Sequence, residues 1–119
     1  MTPPSTGMDT TAMRFECLET SYQLIRELRG ALRLIQRRDR KLHDQLTRAL
    51  ASISLNLAEG RGRDGQDKRH HWRIARGSAE EALAALNVAE AFGHLTAGDW
   101  AVARGTMKRV HSMLWRLTH

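Results

Sequence analysis

Trp72, Ala75, Ala79, Ala82, Leu86, Ala89 and Gly93 follow one another in alternating steps of three and four residues. That rhythm constrains the fold more than any other feature of the chain. A period near 3.6 places all seven positions on one face of an α-helix, and the run of alanines asks for a closely packed partner helix. Three further segments repeat the pattern. Phe15, Leu18, Tyr22, Ile25, Leu28, Leu32 and Ile35 form one stripe; Leu42, Leu46, Ala49, Ile53 and Leu57 form a second; Trp100, Ala103, Met107, Val110, Leu114 and Leu117 form the last. The expected class is therefore all-α, with four helices burying one another's stripes as an antiparallel up-down-up-down four-helix bundle.

Helix boundaries follow from capping chemistry. The first helix is expected to start after Asp9 or Thr10 as N-cap and to run to about Arg38. Asp39 is the expected N-cap of the second, which should stop at Gly60 or Gly62, where glycine can take a left-handed cap. The fourth is expected from about Gly98 to Leu117. "SISLNLAEG" alternates polar and apolar residues as a strand would, but a lone strand would lack a partner and the three-four spacing runs through it, so it is read as helix. Leu50 and Leu55 then fall off the main stripe, which predicts a second packing face and self-association. Residues 1–9, rich in Pro, Ser, Thr and Gly, are expected to be a disordered tail, leaving residues 10–119 as the folded domain. Gly77, beside Ser78, costs about 1 kcal/mol relative to alanine inside a helix, so a close backbone approach is expected there.

The 119 residues suit one domain. No run approaches the length of a membrane span, and the start lacks the regions of a signal peptide, so the expected location is the cytoplasm. Cys17 is the only cysteine, and its place in an apolar stripe points to an inert, reduced thiol. No catalytic constellation emerges. The paired Glu-x-x-His pattern of di-iron bundles is missing, adjacent His70 and His71 point in different directions, Glu90 with His94 is a single pair, and no phosphate loop or nucleophile elbow occurs. The expectation is a non-enzyme with no metal and no cofactor.

Charge is more informative. The formal net charge is +6, which favours an acidic partner. Residues 26–41 carry seven basic side chains against Glu27 and Asp39; residues 61–76 carry six against Asp64 and Asp67; residues 100–119 carry four and no acid. In an up-and-down bundle the first two clusters fall at opposite ends. Arg37, Arg38, Arg40, Lys41, Arg61, Arg63, Lys68, Arg69 and Arg73 are the candidates for contact with an RNA or DNA phosphate backbone. Ordinary solvated helix faces would look the same, so a protein-only scaffold with an acidic protein partner stands beside that reading. Trp72 could stack on a base, but its register favours a place in the core. Asn56, Glu59, Arg76, Ser78 and Glu81 are polar groups near the apolar faces of the second and third helices; a Glu59–Arg76 contact completed by Asn56 and Ser78 would satisfy them.

"SISLNLAEGRGR" (52–63) followed by "RIARGSAEEALAAL" (73–86) resembles the paired signature of the four-helix-bundle proteins encoded in intervening sequences of bacterial large-subunit ribosomal RNA genes. The matching positions are Asn56, Glu59, Gly60, Arg76, Gly77, Ser78 and Glu81. That family is similar in fold to the accessory variability protein of diversity-generating retroelements, a basic bundle that binds a reverse transcriptase and nucleic acid. The resemblance implies a small non-enzymatic bundle, a homopentameric barrel, and a partner among RNA, DNA or a reverse transcriptase. This chain departs from the pattern in its unusually basic linker.

Overall fold

The computed structural model describes the backbone of residues 6–119 and the side chains from residue 12 onward. It is all-α, with no strand among the described residues. Among the described residues five α-helices, α1 (Thr6–Glu27), α2 (Arg29–Arg38), α3 (Arg40–Arg61), α4 (Gly65–Ala91) and α5 (Ala101–Thr118), are joined by short turns, with a single 3₁₀ turn at Ala97–Trp100. α1 takes in residues 6–9 of the segment expected to be a disordered tail, and the rest of that expectation lies outside the described residues.

The expected first helix is two. Leu28 donates to the carbonyls of Leu24 and Ile25 at 3.0 and 3.2 Å and accepts from Leu32 at 2.8 Å. Its ψ of −2° departs from helical geometry. Burial continues across the break at Leu28, Ala31 and Ile35, but Leu24 and Ala31 take the inward places expected for Ile25 and Leu32, which with Tyr22 are only half-buried. At the next junction Asp39 is extended and its Oδ1 accepts from the Leu42 amide at 3.0 Å, the expected N-cap. The cap at the other end differs from expectation. Gly62 has φ −87°, and the left-handed glycines are Gly65 and Gly93, which open and close the ends of α4.

α3 packs along α4, α4 against α5, and α1 against both α3 and α5. The core between them contains Leu24, Leu28, Ile35, Leu46, Ile53, Leu57, Trp72, Leu86, Trp100, Met107 and Leu114. All of the α4 stripe from Trp72 to Ala89 is buried, and only Gly93 leaves it for the turn. Leu50 also belongs to the core, whereas Leu55 is 68 % exposed and Phe15 is 53 % exposed. The off-stripe pair thus splits, and Phe15 leaves the core it was expected to join. Its ring lies instead beneath the Arg61 guanidinium, 4.7 Å from the ring centre.

Candidate nucleic-acid interface

The polar signature forms a seam between α3 and α4. His71 Nδ1 donates to Asn56 Oδ1 at 3.0 Å, Asn56 Nδ2 donates to the Ser52 carbonyl and hydroxyl at 2.9 and 3.1 Å, and the Ser52 and Ser78 hydroxyls meet at 2.7 Å. Pairs 56–71 and 52–78 run in opposite order along the two helices, so α3 and α4 are antiparallel. A second hydroxyl pair, Ser21 with Ser54 at 2.8 Å, joins α1 to α3 within the interior. Ser52, Ser21, Ser54 and His71 were absent from the sequence-based set. Ser52 falls four residues before Asn56, a spacing that lets one amide bridge two turns.

Glu59 and Arg76 do not meet. Glu59 takes Arg63, one turn along the chain, in a fork with N···O distances of 3.1 and 2.6 Å, and this guanidinium holds the exposed Glu59 carboxyl below its usual range. Arg76 turns to the α5 side, donates to Thr118 Oγ1 at 2.9 Å, and lies over Trp115. A partner four residues along the chain, in the turn that directly follows α3, needs no second helix to be brought into place, which is why Arg63 wins Glu59. Gly77 is also not the close approach: a Cβ there would meet nothing within 4 Å. Gly60 is. A Cβ on it would lie 2.5 Å from Trp72 Nε1 and 2.8 Å from Cδ1, so the missing side chain is the space the indole occupies. Trp72 is accordingly buried, with its N–H unpaired among the described residues, and is not a platform for a base.

The basic candidates separate into two groups. Arg37 and Arg38 end α2, Arg40 and Lys41 begin α3, and all four are exposed with no ion pair among the described residues. Asp39 in their midst is committed to the Leu42 amide and to His94 Nε2, at 3.4 Å. Arg40 and Lys41 sit on the positive end of the α3 dipole, whose first turn holds no acid. The second group lies at the far end of α3, 22 residues away, about 33 Å along a helix. Here Arg63 is spent on Glu59, Arg61 covers Phe15, and Lys68 Nζ sits 5.2 Å from the Trp72 ring. Arg69 and Arg73 remain, beside Gln66, Asp67 and His70 in a shallow polar depression. The nine cations therefore do not form one surface.

Among the described residues no three His, Cys, Asp or Glu side chains converge as a metal site would need. Glu90, paired in the sequence with His94, instead accepts from Trp100 Nε1 at 2.8 Å and from Arg104 Nη2 at 3.0 Å. None of the described helices is long and apolar enough to cross a membrane.

Helices joined by a hydrogen-bonded seam, with cationic junctions at both ends of α3, define a small basic all-α protein. The family model of the 23S rRNA-intervening sequence protein matches residues 13–116, and the chain belongs to that family. No curated protein and no solved structure matches it.

Proposed function

We propose that this is a non-enzymatic, cytoplasmic accessory protein, an up-down-up-down four-helix bundle with α1 and α2 as its first rod, that self-assembles and grips the phosphate backbone of RNA or DNA. The observation that carries the reading is the α2–α3 junction. Four exposed cations with no ion pair among the described residues fall within five consecutive positions there and repel one another; the α2 C-terminus favours Arg37 and Arg38, but Arg40 and Lys41 stand against the α3 dipole. An anion lying across the junction would offset that repulsion. Arg69 and Arg73 offer a second, weaker contact at the opposite end. The retroelement branch of the reading adds a reverse transcriptase as a docking partner.

Self-assembly is supported by the outer face of α3 and α4. Leu55, Ile74 and Val88 are exposed there, and the signature residues Gly77 and Glu81 are exposed with no partner inside the chain among the described residues. A signature glycine that the fold leaves open suits the approach of a helix from another copy, and a homopentameric ring would repeat each cationic junction so that weak contacts add. The same face favours the second reading, an oligomeric scaffold with an acidic protein partner and no nucleic acid.

Fluorescence anisotropy with labelled single-stranded RNA, across a salt series, tests the proposal. Replacing Arg37, Arg38, Arg40 and Lys41 with glutamine should weaken binding and flatten the log–log salt slope by up to about 0.7 for each phosphate that is no longer neutralised. Unchanged affinity and slope would leave the scaffold reading in its place.

A further inference from the structure

α4 closes on an aromatic pair. The His94 amide donates to the Ala89 carbonyl at 2.9 Å and the Gly93 amide to the Glu90 carbonyl at 3.0 Å, with Gly93 left-handed at φ 79°. These two bonds make a Schellman closure, which fixes the backbone on either side of the glycine. The Phe92 and His94 rings stack across it, 5.4 Å between centres and 18° between planes. One face of Phe92 is therefore against the imidazole. At 68 % exposure, much of the rest of the ring meets water.

The imidazole also ties this pair to the cationic junction. Half-buried His94 donates from Nε2 to Asp39 Oδ2 at 3.4 Å. Asp39 stands between Arg38 and Arg40 in the chain, and its other oxygen caps α3. A single side chain thus bridges an open aromatic ring and the segment that carries Arg37, Arg38, Arg40 and Lys41. None of these four makes an ion pair among the described residues. Acids close to the turn in the chain are already engaged, Glu90 by Trp100 and Arg104 and Asp99 by the Thr96 amide.

We propose that Phe92 is a stacking platform for an unpaired base, and that the strand gripped at the α2–α3 junction is single-stranded. The assignment rests on the phosphate-gripping reading of that junction and adds what it lacks, a group that meets bases. Cations beside an exposed ring suit a strand whose phosphates meet Arg and Lys while a neighbouring base lies on the aromatic face. In a duplex each base is already covered by its neighbours in the stack, so a ring on the protein surface finds no free base face. A planar base extends the His94–Phe92 stack. An acidic aliphatic segment would meet the same cations and leave the ring uncovered.

Fluorescence anisotropy tests it on the full-length protein, with a labelled single-stranded RNA and with the same strand annealed to its complement. Phe92→Ala should weaken binding of the single strand by about fivefold or more and leave the duplex unchanged. The salt slope should not move, because the ring carries no charge. Phe92→Trp should bind the single strand as the wild type does, and Phe92→Leu should not, since the contact is stacking and not burial. An equal loss on both RNAs, or none on the single strand, would overturn the inference and leave the phosphate reading standing on the wild-type salt slope. Wild-type protein that binds neither RNA would end both. A Phe92→Ala protein of altered mass in light scattering would make the ring a contact between copies of the chain, and would overturn the inference as well.

Discussion

Gly60 and Gly77 both lie inside long helices, and their surroundings give them opposite sensitivities. Alanine normally stabilises a helix interior by about 0.5–1 kcal/mol over glycine. At Gly60 the new Cβ would press on the Trp72 indole, and overpacking of that kind costs about 1–3 kcal/mol. Gly60→Ala should therefore lower the melting temperature, and Gly77→Ala, where nothing stands within 4 Å, should raise it or leave it unchanged in the isolated chain. If copies meet on that face, Gly77→Ala should also weaken assembly, which light scattering would register. Cys17 makes a pH prediction. Burial, with a smaller contribution from Glu16, pushes its thiol up to about 12 from 9.0. The folded protein then holds this proton after the unfolded chain has lost its own, so the thiol's contribution to stability falls as pH rises from about 9 to about 12. Denaturant titrations across that window should show the loss in Cys17 protein and a smaller one in Cys17→Ala. The sequence announced Cys17 as buried through its neighbours in the stripe. It also marked Gly60 and Gly77 as signature positions, but which one is pressed against a neighbour depends on which side of α3 faces Trp72, a rotation that helical spacing alone leaves open.

At the level of the helices, Asp39 ties two distant turns together. Its Oδ1 caps α3 and its Oδ2 accepts from His94, next to the left-handed Gly93 after α4. Asp39→Ala should cost about 0.5–2 kcal/mol for the cap, measured by urea denaturation. Asp39→Asn should retain most of that stability, because an amide oxygen can still accept from Leu42. The cap was legible because Asp39 stands between two apolar stripes. The break at Leu28 was not, since apolar residues recur at helical spacing on both sides of it; the structure buries Leu24, Leu28, Ala31 and Ile35 and leaves the stripe members Ile25 and Leu32 half-buried. The α3–α4 seam was legible in its members Asn56 and Ser78 and not in its wiring. Ser52 and His71 complete it, and Glu59 and Arg76 are drawn away by nearer partners, Arg63 on one side and Thr118 on the other.

For the molecule as a whole, the cationic side chains are sorted by what else they touch. Arg61, Arg63 and Lys68 each have a partner within the chain, so neutralising them should change the salt dependence of RNA binding less than neutralising Arg37, Arg38, Arg40 and Lys41, which have no ion pair among the described residues. Anisotropy titrations of the triple- and quadruple-substituted proteins against the same labelled RNA would register the ranking as two different salt slopes. Amino-acid sequence by itself determined the all-α class, most of the core, the Asp39 cap and the family, because helical period, capping chemistry and a signature are properties of residues close together along the chain. Tertiary structure alone decided which polar groups pair across α3 and α4, that Phe15 and Leu55 face outward, and that Gly60 and not Gly77 makes room for Trp72. Each of these depends on the rotation of one helix against another, which is settled only when all the stripes are buried together.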